Sequence, residues 1–358
     1  MMVPDLSWAG VLEHHATRRP DVAAAVDRGG VTTYGQMADR SAAVATALAA
    51  RGVTAGDVVA LLAYNSTDFL TTIFAANHLG AIAMPINWRL AAEEVKFILD
   101  HAEAGVLVCD QDLLALATDP RARRGRGPPR VVTRPGAGAG SERFDPPPGE
   151  PALHPRAPAA GDDVHRLMYT SGTTGRPKGV MISHANLAWK NYAHITEFGF
   201  TGADVGLACG PLYHVGALDL VTTSMLAVGA TTIIHRSFDA AAVAEEIERS
   251  RVTCVWAAPA MVRAILDVED IDTRDLSSVR VIIAGGEKMP IPYLERLRAT
   301  FPSTWLADAY GLTETSPVIA VNSPDAFRIG SVGKAVAGVE IRIAEDGEIC
   351  VRGELVTR

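Results

Sequence analysis

Between Tyr169 and Gly179 the chain reads YTSGTTGRPKG, one short run that concentrates hydroxyls, glycines and cations. Glycine and proline at this density can neither continue a helix nor fill a strand, so the run must be a loop. Apolar residues flank it, Val164 to Tyr169 before and Val180 to Ile182 after, which hangs it between two sheet segments. Glycines let backbone N–H groups approach an anion closely. The hydroxyls of Thr170, Ser171, Thr173 and Thr174 can donate to phosphate oxygens, and Arg176 and Lys178 supply countercharge. This chemistry suits a polyphosphate. The run is not a G-x-x-x-x-G-K-[ST] loop, because the spacing from Gly172 to Lys178 is wrong and no Ser or Thr follows the lysine. A generic Ser/Thr/Gly run is usually a plain surface loop; the order here is more particular.

Four other stretches carry residues with chemical potential: His214 within PLYHVGAL (Pro211 to Leu218), Gly285-Gly286-Glu287, DAYGLTE from Asp308 to Glu314, and GEICVRG from Gly347 to Gly353. Taken singly, each has an ordinary explanation. A lone histidine is more often a satisfied structural residue, a glycine pair a plain turn, and Glu314 a surface acid. Each follows a predicted strand end, however, where open α/β sheets bind ligands.

The loop resembles, residue by residue, the signature loop of the adenylate-forming superfamily, which includes acyl-CoA synthetases, firefly-type luciferases and the adenylation domains of peptide synthetases. The other stretches extend the resemblance from about Trp8 to Arg358. It implies that Thr170, Ser171, Gly172, Thr173, Thr174, Gly175 and Lys178 hold the phosphates of ATP. Gly285, Gly286 and Glu287 would lay backbone against adenine and the acyl group; Tyr310 would stack on adenine, with Asp308 and Ala309 at its edge. In the same motif, Gly311 follows the stacking ring, Thr313 would reach the α-phosphate, and Glu314 would bind Mg²⁺ together with Thr170. His214 would lie beside the carboxylate being activated. Peptide-synthetase domains carry Phe-Asp there, the aspartate pairing with an α-amino group, whereas this chain has Tyr213-His214. Val215, Trp256, Ala258, Pro259 and Met261 imply an apolar acyl pocket. Glu287 and Lys288 stand where many relatives have a small residue, so the acyl wall departs from the pattern there.

The rest of the chain bounds this reading. A chain of 358 residues predicts two or more packed subdomains. The net charge of −8 argues against a nucleic-acid partner and leaves ATP and CoA to be met by local cations. Cys109, Cys209, Cys254 and Cys350 stand singly, with no metal-thiolate or disulfide pattern. The N-terminus lacks a secretory signal, and no run of about 18 apolar residues offers a membrane span. A cytoplasmic protein is expected.

Periodicity predicts the scaffold. Thr33 and Gln36 form a capping-box pattern opening a helix to Arg51. Strands at 57–63, 81–86 and 106–109 then alternate with helices at 67–79 and 91–104. From Pro120 to Gly161 the chain turns to Pro, Gly, Ala and Arg and reads as a connector, its Arg121–Arg130 stretch most simply a solvated basic loop. Alternation resumes, with strands at 205–209, 231–234, 253–257, 279–284 and 304–307 and helices at 185–197, after His214, at 240–250 and at 291–300. Val339–Ile343 and Glu348–Val351 flank Asp346-Gly347 as a hairpin. The expected fold is α/β: two helix-covered β-sheet subdomains (about 1–160, and about 162–328 with the phosphate loop) plus a small β-barrel-like subdomain from about 329.

The resulting expectation is an AMP-forming acyl-CoA ligase using ATP, Mg²⁺, CoA and a fatty or aryl acid. An acyl carrier protein is the alternative acceptor, and a degenerate nucleotide-binding domain the non-enzymatic alternative. The family's ribose-binding aspartate, hinge and C-terminal domain with its adenylation lysine are not met before Arg358. On that ground the chain is expected to be the large N-terminal domain, binding an adenylate better than it turns it over.

Overall fold

The computed structural model describes residues 7–117, 130–133, 142–143, 156–171 and 176–357. Their contacts divide the chain into two compact units. The first comprises residues 1–21 and 33–184; the second comprises residues 22–32 and 185–358.

The first unit is built on a seven-stranded sheet in the order Glu142–Arg143, Arg130–Thr133, Val106–Cys109, Val58–Leu62, Ile82–Pro85, Val164–Thr170, Lys178–Ser183. All pairs are parallel except the last, which is antiparallel. Parallel neighbours need crossovers, and Thr67–His78 and Ala92–His101 are the helices that supply them. The capping box at Thr33 forms as expected. The Thr33 hydroxyl accepts from Gln36 N–H at 3.3 Å and the Gln36 carboxamide accepts from Thr33 N–H at 3.1 Å, which satisfies two otherwise unpaired backbone donors. Ala60, Leu62, Met84, Ile98 and Leu107 form the core between sheet and helix.

Two readings are corrected here. The stretch expected to be a connector, Pro120 to Gly161, contains the strands Arg130–Thr133 and Glu142–Arg143, which extend the sheet through the pairs Val106↔Arg130 and Val132↔Glu142. A β-branched run as short as RVVT is hidden among prolines and glycines when propensity is averaged. The arginines from Arg121 to Arg124 and Arg126 lie outside the described residues. The phosphate-loop strands, read as part of the second subdomain, instead close the sheet of the first unit. Hydrogen bonding to Ile82–Pro85 fixes that assignment, and strand periodicity alone carries no information about the partner.

The second unit holds a nine-stranded sheet in the order Lys334–Ala335, Ala320–Val321, Trp305–Tyr310, Val281–Ala284, Cys254–Ala257, Val205–Ala208, Thr231–Ile234, Ala23–Asp27, Gly30–Thr33. From Trp305–Tyr310 to Ala23–Asp27 the neighbours run parallel. The helices Ala240–Ser250, Pro259–Leu266 and Ile291–Thr300 cover a core that includes Leu207, Val255, Ile282, Leu306 and Phe301. The Ala23–Asp27 excursion into this sheet and the helices Trp8–Arg18 and Pro259–Leu266 were not read from the sequence. The expected hairpin is present: Val339–Ile343 pairs antiparallel with Ile349–Gly353, and Gly347 takes φ +87° in the turn between them. Among the described residues no helix is long and apolar enough to cross a membrane.

Candidate functional site

In the first unit the strands around the glycine-rich loop are longer than expected. They reach Thr170 and Lys178, which face each other in antiparallel register. Directly opposed residues project from the same face of a pair with Cβ atoms about 4.5–5.5 Å apart, so a hydroxyl and an ammonium stand side by side at the mouth of the loop. Gly172, Thr173, Thr174 and Gly175 lie outside the described residues; Ser171, Arg176 and Lys178 are exposed. One pair back, Tyr169 opposes Gly179. A Cβ at Gly179 would come within 3.1 Å of the Tyr169 ring, so the glycine is what lets that ring lie across the strand. The ring is anchored by its hydroxyl, 2.7 Å from His101 Nδ1, and burial raises the phenol pKa. The Arg176 guanidinium lies 6.0 Å from the Phe97 ring centroid, on the helix that carries His101.

The other motifs belong to the second unit, and sheet order brings four of its strand ends together. Val205–Ala208, Cys254–Ala257, Val281–Ala284 and Trp305–Tyr310 are consecutive parallel neighbours. Their C-terminal ends deliver His214 and Val215, then Ala258 and Pro259, then Gly285 to Lys288, then the Asp308–Glu314 motif. Parallel strands bind ligands at this edge.

His214 follows the first of these ends. Its Nδ1 accepts a hydrogen bond from Gly216 N–H at 3.0 Å, which leaves the proton of the neutral ring on Nε2. Removal from water lowers the imidazole pKa below its ordinary 6.5, and the Asp219 carboxylate opposes the shift in part. The helix expected after His214 begins as a π-helix, Gly216–Thr222, and continues as Thr223–Val228. A π-turn opens the ladder, and here a buried polar layer fills the opening. Lys190 Nζ donates to the Asp219 carbonyl at 2.8 Å and to Thr223 Oγ1 at 2.6 Å, while His194 Nδ1 lies 3.2 Å from Ser224 Oγ. Burial, with Lys190 nearby, holds His194 neutral. Sequence reasoning missed this layer; polar residues at helical spacing on what should be a buried face, Lys190 and His194, were the available signal.

The turn after Val281–Ala284 places Gly285 inside and leaves Gly286, Glu287 and Lys288 exposed. A Cβ on Gly285 would stand 3.0 Å from the Ala309 carbonyl oxygen, a tight contact, and Gly286 takes φ +94°, so both positions favour glycine, for different reasons. Lys288, expected on the acyl wall, presents an exposed side chain, while its neighbour Met289 is buried.

Asp308, Ala309 and Tyr310 were expected past a strand ending at Ala307. They lie within the strand Trp305–Tyr310, because the strand gains a second, antiparallel neighbour through Ala309↔Val321 and Tyr310↔Ala320. Tyr310 and Thr313 are half-buried. Asp308 is buried, and desolvation raises its carboxyl pKa from 3.8 to about 6. The following Gly311 passes so close to the Pro317 carbonyl that a Cβ would fall 1.8 Å from its oxygen. Glu314 sits on the 3₁₀ turn Thr313–Thr315 with its side chain exposed; its backbone carbonyl accepts from Thr357 N–H at 2.9 Å. Among the described residues no group of three or more His, Cys, Asp and Glu gathers as a metal site. Mg²⁺ does not need one, since it is held by one or two carboxylates with waters and phosphate oxygens.

The model of the AMP-binding enzyme family matches residues 12–358. The chain is 35% identical over 353 residues to a feruloyl-CoA synthase of an Amycolatopsis species, an alignment covering 94% of this chain and 68% of that protein. Among solved structures it is similar to an anthranilate CoA ligase in complex with anthranoyl-AMP, with TM-score 0.88, 25% identity, and coverage of 99% of this chain and 70% of that one. It is also similar to the o-succinylbenzoate CoA synthetase of Bacillus subtilis in complex with ATP and magnesium, with TM-score 0.82, 27% identity, and coverage of 97% and 71%. The chain belongs to the AMP-binding enzyme family, and within it to the AMP-forming acyl-CoA ligases.

Proposed function

We propose that the chain is an acyl-CoA ligase whose residues Thr170 to Lys178 bind phosphate, whose four consecutive strand ends of the second unit bind the adenine and acyl groups, and whose acid is apolar, fatty or aryl. The observation that carries this reading is the sheet order, which sets His214, the Gly285-Gly286 turn and the Asp308–Glu314 motif at one edge of one parallel sheet. In the first half-reaction a carboxylate oxygen attacks the α-phosphorus of ATP and expels pyrophosphate; in the second, the CoA sulfur attacks the acyl carbon and expels AMP. His214 donates Nε2–H to the carboxylate and orients it. Gly285 and Gly286 admit a flat ring against bare backbone, and Tyr310 stacks on it. Thr313 contacts the α-phosphate, and Lys178 balances the phosphate charge. Mg²⁺, when bound, neutralises phosphate charge, and the oxygen donors of Glu314 and Thr170 suit it. Catalysis of this kind is positioning and electrostatic stabilisation, with no covalent step asked of the protein.

The test is acid-dependent pyrophosphate exchange over a panel of acids. Aryl and aliphatic acids support exchange, and free α-amino acids do not, because His214 offers no carboxylate to an ammonium group. Efficient exchange with any common amino acid overturns the pocket assignment.

Asp308 gives a second measurable consequence. With its carboxyl titrating at about 6 and placed at the edge of adenine, the ionised form accepts from the exocyclic amino group. Nucleotide affinity therefore rises about tenfold between about pH 5 and 7 and then levels, as follows for one proton linked to binding. Because the folded pKa lies above the unfolded 3.8, the same group favours the folded state most at low pH, and that contribution is lost as pH climbs from 3.8 to about 6. Asp308→Asn removes both trends in calorimetry and in pH-resolved melting. A wild-type affinity flat across this window removes Asp308 from the adenine edge.

A further inference from the structure

Lys190 lies on the helix His184–Phe198 with its side chain fully buried. Burying an ammonium is costly unless each N–H is paired. Three acceptors stand around Nζ: the Asp219 carbonyl at 2.8 Å, Thr223 Oγ1 at 2.6 Å and Ser224 Oγ at 3.3 Å. All three belong to the π-helix or to the helical turn that follows it. In an α-helix the Thr223 N–H would bond the carbonyl four residues back, at Asp219; instead it bonds that of Leu218, five back. The Asp219 carbonyl, passed over by that N–H, accepts from Lys190 Nζ and from the hydroxyls of Thr223 at 3.3 Å and Ser224 at 3.2 Å. Two residues earlier the Ala217 carbonyl accepts from Thr222 Oγ1 at 2.9 Å. Side chains thus serve the carbonyls that the widened turn displaces, and Lys190 is the one that reaches in from another helix.

The other end of the same π-turn holds His214. Gly216 is its first residue, so its N–H is one of those that no carbonyl of the helix serves, and it donates to His214 Nδ1 at 3.0 Å. The imidazole also stacks on the Trp256 indole, centroids 6.1 Å apart and planes 22° from parallel. Stacking sets the plane of the ring; the Gly216 bond decides which nitrogen carries the proton. A helix advances about 100° and about 1.5 Å per residue, so closing the π-turn to α register would swing Gly216 by that much relative to Thr223–Val228 and take its N–H off the ring. We propose that Lys190 is a positioning residue for acid activation: by occupying the Asp219 carbonyl it keeps the π-turn open, holds Gly216 N–H on His214 Nδ1, and so presents Nε2–H to the carboxylate. The inference rests on the reading that places the carboxylate beside His214. An apolar side chain of similar length would fill the same space, so packing alone does not ask for the charge.

The experiment compares wild type, Lys190→Met, Thr223→Val, His214→Ala and the double variant Lys190→Met with His214→Ala, all in the intact protein. It reads kcat/KM for the best acid of the panel above in pyrophosphate exchange. Independently of turnover, it reads the imidazole nitrogen chemical shifts of His214, assigned by their loss in His214→Ala. Wild type is expected to show one neutral tautomer, protonated on Nε2. Lys190→Met should mix the two tautomers and lower kcat/KM by about ten- to a hundredfold, the effect of misplacing a contacting group by about 1 Å. Because Lys190 acts through His214, the double variant should match His214→Ala within about twofold, whereas two independent losses would multiply. Thr223→Val removes one of the ammonium's acceptors and should shift the tautomers the same way to a smaller extent; it decides by the same criteria should Lys190→Met not fold. A single Nε2–H tautomer in folded Lys190→Met overturns the inference, and so do an unchanged kcat/KM in that variant and losses that multiply in the double variant. Exchange at the wild-type rate in His214→Ala would strike at the placing of the carboxylate and take the inference with it, an outcome told apart from the others because the tautomers are read without turnover.

Discussion

Glu314→Gln is expected to lower acid-dependent pyrophosphate exchange by about a hundred- to a thousandfold, because losing one charge from a metal-held phosphate removes several kcal/mol of stabilisation at about 1.4 kcal/mol per tenfold. The fold should not notice. The Glu314 side chain is exposed, and the contact that the residue makes with Thr357 runs through its backbone carbonyl, which glutamine keeps. Exposed substitutions away from packing features typically stay within about 0.5 kcal/mol, so the melting temperature in the absence of nucleotide stays near that of wild type. A magnesium titration adds a readout that a merely structural role would not move: the concentration giving half-maximal exchange rises in the variant. Exchange at the wild-type rate under saturating Mg²⁺ would sink the assignment of Glu314.

Much of this site was legible because its motifs are local. YTSGTTGRPKG, DAYGLTE and the Gly285-Gly286 turn are contiguous strings whose residue types suit phosphate, a flat ring and a divalent cation, and each lies at or beside a strand end that hydrophobic alternation reveals. Strand partners were another matter. Nothing in the periodicity of Val164 to Tyr169 says that it pairs with Ile82–Pro85, or that Ala23–Asp27 crosses to pair with Thr231–Ile234; register and neighbour are set by tertiary packing. The same limit explains Asp308 to Tyr310. The strand lengthens past Ala307 because Ala320–Val321 comes back to pair with it, a contact far from the motif in sequence. The strand at Arg130–Thr133 escaped because its flanks carry the composition of a loop.

The polar layer under the π-turn shows a different limit. Lys190, His194, Asp219, Thr223 and Ser224 are all buried, yet they come from two helices that the sequence presents as ordinary amphipathic segments. Buried polar groups persist where each finds a partner, and here the opened π-ladder supplies the carbonyl that Lys190 uses. The cluster lies one step behind His214 in the chain of contacts, since Asp219 also acts electrostatically on that imidazole. Local motif reading names His214 only as a candidate; the groups around it, Gly216, Asp219 and Trp256, come from the π-helix and a neighbouring strand.

His214→Ala is expected to reduce kcat/KM for the acid by about ten- to a hundredfold, the effect of losing a hydrogen bond to a charged group worth about 1.5–3 kcal/mol. His214→Gln should recover part of that loss, since it returns an N–H donor at similar reach, whereas a role confined to packing would treat both variants alike. The tautomer makes the prediction directional. Gly216 N–H donates to Nδ1, so the neutral ring carries its proton on Nε2, and burial keeps the ring neutral above a pKa lower than 6.5. Acid activation should accordingly show no limb from His214 above about pH 7, the side on which the imidazole is fully deprotonated. Stability carries the opposite signature to that of Asp308. A base whose folded pKa is depressed leaves stability unaffected above the unfolded 6.5 and subtracts from it as pH falls below that value, because the unfolded chain binds the proton first. The wild-type melting temperature should therefore decline on acidification from about 6.5 more steeply than that of His214→Ala. Equal slopes in the two proteins, together with an unchanged kcat/KM in the alanine variant, would mean that His214 neither meets the carboxylate nor is held neutral by its surroundings.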